Sequence, residues 1–490
     1  MPVSNQLKNQ HLLWRAGFGP TVYQLDDLDK TTPQELYKTL QKASSKKPEY
    51  LQAADNYLQG LMMGFQEAGR QQRQDMSAEQ KKELHKRSRE GIRNLNLYWI
   101  NEMVNSDAQL REKMSLFWHG HFACRNLNVF FQQELLHVIR RNALGNFRDL
   151  LHEVSKTGAM LNFLNNNQNR KDHPNENFAR EVMELFTMGR GNYTEHDVKE
   201  AAKAFTGWGA NAKGEFVFRR FQHDEGSKTV LGNTGNFDGD EVLEILLDQK
   251  QTAKFISQKI YRFFVNDTVD QQKADWLANR FYKSDYDIGK LMEDIFTSDW
   301  FYDEKNIGSK IKSPVELLVG IQRMLPMKLE NEEALLLLQR VLGQILFYPP
   351  NVAGWPGGKT WIDSSTLMMR MRIPQLINDR DEFNIKPKAD DDQMMGRNDD
   401  DIKTGSDNNQ GRVGKAGRPI NAEIDWSKYV GYYNSVPRAD LVNDIAGNLL
   451  QTKKTVSADI INEYSDADDK ESFIKTATIQ IMSTPEYQLC

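Results

Sequence analysis

Cysteine is almost missing from this chain. Cys124 and Cys490 are the only two, which excludes a disulfide framework and a cysteine-built zinc cluster. Long apolar runs are missing too. The strongest, Leu335 to Leu338, is four leucines, far short of the roughly 18–20 residues a membrane-spanning helix needs. The opening stretch MPVSNQLKNQHLLWRAGFGP has no apolar core after its first charges. No secretory leader is expected, and a cytoplasmic location follows, with co-export beside a partner left open. An excess of one charge sign is also lacking. The 63 basic and 68 acidic residues leave a formal net charge of -5, so nothing draws the chain generally to nucleic acid or anionic lipid. There is no G-x-S-x-G elbow, H-E-x-x-H, kinase loop or dinucleotide fingerprint.

What is present is helical periodicity. Hydrophobic residues make up 39% of the 490 and charged residues 27%, enough apolar material for a real core. The fold expected is all-α, one large helical domain with a single small β-hairpin near 215–231. Residues 1–382 form the main domain, with 49–110 as a protruding helical hairpin whose charges are solvated. Thr32, Pro33 and Glu35 read as a helix start. Further helices are expected at 108–120, 128–143, 145–155, 175–188, 194–205, 240–247, 250–264, 270–283, 287–297, 313–324 and 331–343. The aromatic, β-branched run Phe216–Phe221 reads as a strand, with 228–231 as its return. Residues 383–424, rich in Asp, Asn, Gly and Lys, read as a disordered acidic and polar insertion. Residues 425–490 read as a helical segment packing on the main domain.

Five stretches could carry chemistry. His11 and Arg15 sit four apart on one helix face, as an anion-binding pair or as a docked N-terminal helix. In Phe117-Trp118-His119-Gly120-His121-Phe122, the two imidazoles would share a metal ion only if the segment is extended. On a continuous helix they lie about 200° apart. The third runs from His173 to Gly191. Phe178, Val182, Leu185 and Phe186 make its apolar face, and Glu176, Arg180 and Glu184 make a Glu-Arg-Glu ladder. Glu181 borders the apolar face as the carboxylate best placed to reach a neighbouring helix. Thr194 and Asp197 then fit a capping box, and that helix ends at Thr206-Gly207-Trp208. The fourth, Gln222-His223-Asp224, suits either a metal or an ordinary turn. The fifth, Pro349 to Trp361, nearly imitates a phosphate loop. Ala353 replaces its first Gly and Pro356 removes a cradle N–H, so a rigid aromatic turn roofing a pocket with Trp355 and Trp361 fits better.

Taken in order, HLLWRAGFGP, FWHGHF, NENFAREVMELFTMGRGNYTEHDVKEAAKAFTGW, FQHDEGSKTVLG, KSPVELLVG, LGQILFYPPNVAGWPGG and TWIDSSTLMMRMR resemble a bacterial family catalogued as domain of unknown function 1800. The likeness covers roughly residues 8–375 and the tail. It implies no settled activity and no catalytic residues to carry over. It does imply genes lying beside those of a second family that looks like the sulfatase and phosphatase superfamily. Many relatives carry export signals; none is expected here, which leaves the compartment open, and the 383–424 insertion is outside the usual motif set.

Two functions follow. One is a hydrolase-type polar site using a divalent metal, with His119, His121, His223 and Asp224 as ligands and Glu176, Arg180, Glu181 and Glu184 as catalytic or supporting groups. It requires His119, His121 and His223 to line one pocket. The other is a non-catalytic binding or maturation partner of the neighbouring sulfatase- or phosphatase-like protein. There the ladder is internal scaffolding and the Trp355 turn a docking surface.

Overall fold

The computed structural model describes residues 3–61, 77–211, 213–379, 422–452 and 455–490. It is 61% helix and 6% strand, a mainly helical single domain. Among the described residues no helix is long and apolar enough to cross a membrane. Most of the 383–424 insertion lies outside the described residues. Its last three positions, Ala422–Ile424, form a strand antiparallel to Met327–Leu329.

Local chemistry sets most helix starts. Thr32 caps Pro33–Ser44 with Glu35 closing a capping box, Thr194 and Asp197 do the same for Glu195–Ala204, and Ser313 and Glu316 for Pro314–Met324. In each, two otherwise orphaned N–H groups are satisfied reciprocally. Asp197 also accepts from the Leu231 backbone N–H at 2.7 Å, tying the helix to the adjacent sheet.

The strands pair differently from the single hairpin expected. Phe216–Phe218 is antiparallel to Trp208–Ala210, with Trp208 opposite Phe218. Lys228–Val230 turns back on Asn233–Gly235. Trp208 therefore begins a strand as well as following a helix, and its ring packs on Phe205, Phe178 and Phe216. The turn at Gly207 allows this. Its φ is +79°, and a Cβ there would stand 2.6 Å from the Arg219 carbonyl oxygen.

The long helix Ala78–Asn105 buries Ile92, Leu95, Trp99, Ile100 and Met103 along its second half. The following helix, Gln109–His121, is buried along nearly its whole length, including the consecutive charges Arg111, Glu112 and Lys113. Glu112 is satisfied completely. It accepts from the Trp99 indole at 2.9 Å, from Arg111 Nε at 2.9 Å and from both Nε and Nη2 of Arg140 at 2.9 Å. Arg140 continues to Glu102 and to the Glu49 carbonyl, each at 2.8 Å. The carboxylate thus pins three successive helices.

The C-terminal helices close the body. Lys470–Met482 packs on Ser364–Asp379. The last residues run antiparallel to 310–312, with Lys312 N–H donating to the Gln488 carbonyl at 2.9 Å and Cys490 N–H to that of Lys310 at 2.8 Å.

Removing the Glu112 charge takes the ion-pair partner from Arg111 and leaves Arg140 with Glu102 alone. Breaking a buried pair in this way costs about 3–5 kcal/mol. The Glu112→Gln variant is expected to lower the denaturant midpoint by a corresponding margin, and a change under 1 kcal/mol would show that solvent reaches Arg140.

Candidate functional site

The sequence candidates are distributed over separate places. The helix Gln109–His121 continues through Gly120, so His119 and His121 face opposite ways. His119 Nε2 accepts the Phe347 backbone N–H at 3.2 Å, and its ring is boxed by Trp99, Phe347 and Trp355. Burial pushes its pKa down to about 3, so it is neutral. That acceptor serves a strained residue, because Phe347 has a φ of +70°, costly for a non-glycine. His121 Nε2 meets the Phe186 carbonyl at 3.1 Å. Burial, then the charge of Lys259, holds its pKa well below the usual range. A neutral imidazole facing a carbonyl must carry its proton on Nε2, which leaves Nδ1 a bare acceptor.

His223 Nδ1 lies 3.0 Å from the Thr206 carbonyl oxygen. Asp224 accepts the Gly226 N–H at 2.7 Å, and its carbonyl accepts Lys228 Nζ at 2.5 Å. These two build a turn. Among the described residues no group of three or more His, Cys, Asp or Glu side chains could hold a metal ion. The fold therefore does not assemble the four-residue ligand set.

The Glu-Arg-Glu ladder is also rearranged. Arg180 binds Glu176 at 3.0 Å and Glu195 with two bonds of 2.7 Å, whereas Glu184 pairs with the Tyr193 hydroxyl. The cause is backbone winding. Val182–Thr187 is a π-helix, with Met188 N–H reaching back five residues to the Met183 carbonyl at 2.9 Å. The extra residue per turn rotates Glu184 away from Arg180. Glu181 is half-buried, and burial followed by the Glu184 charge raises its pKa. At the N-terminus, His11 is buried against Phe301. Arg15 donates to the carbonyls of Asn306 at 2.9 Å and Cys490 at 2.8 Å, an internal staple between chain ends.

One cavity does gather several of the motifs. Its volume is about 550 Å³, and its walls come from the His helix, the helix Lys250–Phe264, the segment 310–316 and the turn 353–361. Trp355, Trp361, Phe117 and Phe263 all line it. The turn is clamped onto the His helix at Gly354. Its φ is +79°, and a Cβ there would come within 2.4 Å of the Gly120 carbonyl oxygen.

The charges of this cavity are unbalanced. Lys259, Arg262, Lys310 and Lys359 line it, against the carboxylates of Asp267 and Glu316. Lys310 is held by Asp267 at 2.8 Å and by the Arg262 carbonyl at 2.6 Å. Glu316 is bonded to Lys113 and accepts the Ser313 N–H at 2.7 Å. Both carboxylates are thus engaged. Lys259, Arg262 and Lys359 have no side-chain hydrogen bond or ion pair among the described residues. The Trp355 indole N–H is buried and also without a partner.

Lys259, Arg262, Lys310, Glu316 and Lys359 were not singled out from the sequence. The signals were Lys259 and Arg262 three apart on one helix face, and Lys359 directly after the Gly pair of the aromatic turn. A larger groove of about 910 Å³ lies beside Met327–Leu329. Its one buried charge, Arg323, is already bonded to the Gly19 and Val104 carbonyls, so the smaller cavity is the candidate site.

The sequence profile of the family described as Protein of unknown function (DUF1800) matches residues 11–489. The chain belongs to the DUF1800 family. No curated protein and no solved structure gives a match.

Glu316 gives the site floor a defined acid limit. Burial alone would raise its pKa, but the Lys113 ammonium and the Ser313 N–H bring it down to about 2. A carboxylate whose folded pKa is depressed stabilises the fold above its unfolded value and loses that contribution as pH falls toward the folded one. Stability attributable to this pair is expected to drain between about pH 4.5 and 2. Glu316→Gln should flatten that part of an acid-unfolding curve, and an unchanged slope would sink the assignment.

Proposed function

We propose that this DUF1800 protein binds an anionic small molecule with an apolar body in the cavity between the Trp355 turn and the helix Lys250–Phe264. The observation that carries the reading is the set of three unpaired cations, Lys259, Arg262 and Lys359, on one cavity lined by Trp355 and Trp361. Its volume of about 550 Å³ is in the range of small-molecule sites. Aromatic walls suit the apolar body, and the cations suit a phosphate, sulfate or carboxylate group.

The reading accommodates either finer role raised by the sequence. Hydrolase-type turnover of an anionic ester, and partnership with a sulfatase- or phosphatase-like protein, both involve handling such a group. In either role the anion is held by the cavity's cations and not by the metal site first drawn on the histidines.

Phenyl phosphate and inorganic phosphate test it by titration calorimetry. Phenyl phosphate is expected to bind the more tightly. Arg262→Ala or Lys359→Ala should each weaken it roughly tenfold, the scale of one charge-assisted hydrogen bond, with affinity falling as salt rises. Lys259, whose pKa is lowered to about 8 by burial and then by Arg262, adds its charge only below that pH. Binding should therefore weaken between pH 7 and 9. No saturable binding, or binding indifferent to all three cations, overturns the proposal.

A further inference from the structure

Lys259 differs from the other cations of the cavity. Lys310 has its carboxylate partner in Asp267, and Arg262 and Lys359 are exposed. Lys259 is half-buried, carries no ion pair among the described residues, and lies over the Phe255 ring at 5.3 Å. The groups facing the same cavity are Arg262 on its own helix, Asp267 just after that helix, Lys310 and Glu316 from the segment 310–316, Lys359 on the turn, and the neutral His121. Neither carboxylate is free to hold Lys259 as an ammonium, because Lys310 and Lys113 occupy them. A lysine in apolar surroundings beside a second cation is the arrangement that uncovers an amine nucleophile near neutral pH.

We propose that Lys259 captures the carbonyl carbon of an anionic aldehyde or ketone as an imine. The inference rests on the anionic-pocket reading and narrows its ligand class to one bearing a reactive carbonyl. The uncharged Nζ attacks the carbonyl carbon and a C–N bond forms as the C–O π bond opens. The carbinolamine oxygen takes up protons and leaves as water, while nitrogen loses its own to give the neutral imine. One amine and one carbonyl thus become one imine and one water, with no oxidant or reductant. Arg262 and Lys359 hold the anionic group, and the Trp355 and Trp361 rings wall the space beside it. Charge and nucleophilicity then have opposite pH dependence at one atom. The ammonium favours anion binding, and the free amine favours the covalent step. The lowering of its pKa to about 8 by burial and by Arg262 brings the two regimes close together.

The test uses pyridoxal phosphate as an anionic aldehyde, sodium borohydride to trap the imine, and peptide mapping by mass spectrometry. One adduct is expected, on the peptide holding Lys259, at substoichiometric reagent. Its formation should rise between pH 7 and 9, fall severalfold when phenyl phosphate competes, and drop at least tenfold in Lys259→Arg. Label spread over exposed lysines, or persisting in Lys259→Arg, overturns the proposal. Phenyl phosphate bound by the wild-type protein without any Lys259 adduct removes the nucleophile and leaves the pocket. Absence of both removes the two readings together.

Discussion

The buried ion pair between Lys113 and Glu316 is the constraint from which the site region is built. Glu316 serves two purposes with two oxygens. One closes the capping box that starts the helix Pro314–Met324, and the other meets Lys113 on the His helix. Lys113 also donates to the Trp14 carbonyl at 3.0 Å, so three helices distant in sequence meet at one charge. Close by, Lys312 is sandwiched between the Trp14 and Tyr487 rings at 3.8 Å from each, with a bond to the Tyr487 carbonyl. Lys113 and Glu316 satisfy each other there, whereas Arg15 and Arg370, bonded to the same region, each keep buried N–H groups without a partner. In the neighbouring cavity the surplus donors, Lys259, Arg262 and Lys359, line an open space, and that marks it.

The aromatic turn depends on a second chain of causes. His119 accepts the N–H of the strained Phe347, and Gly354 lets the following turn lie on the Gly120 backbone. The imidazole that looked most like a ligand is thus a brace, which accounts for its aromatic box. His121, one turn-face away, fastens the same helix to the π-helix through Phe186. The FWHGHF motif is accounted for as a junction between three elements.

The helices were legible because caps and apolar periodicity are local. Thr32, Thr194 and Ser313 each announce their helix within four residues. Strand partners were not, because Phe216–Phe218 offers the same pattern to any neighbour, and the choice of Trp208–Ala210 was made by the tight turn at Gly207. The π-helix at Val182–Thr187 broke the 3.6-residue period on which the Glu184 ladder was drawn. Arg111, Glu112 and Lys113 were not singled out, yet all are buried, since partners come from Arg140, Trp99 and Glu316 elsewhere in the chain. The site was half legible. Trp355 and Trp361 could be placed at a pocket from their rigid turn, while Lys259 and Arg262 sit in an ordinary amphipathic helix with no motif around them.

The pairing of residues 488–490 with Lys310–Lys312 has a consequence for synthesis. The wall bearing Lys310 is hydrogen-bonded to residues that leave the ribosome after everything else described, and Arg15, near the beginning, grips Cys490 as well. A nascent chain can form its capped helices and much of its core in order of emergence, but it holds no finished cavity. The cavity therefore takes its final shape only after translation of the whole span, so a shortened product would be folded in part and lack that wall.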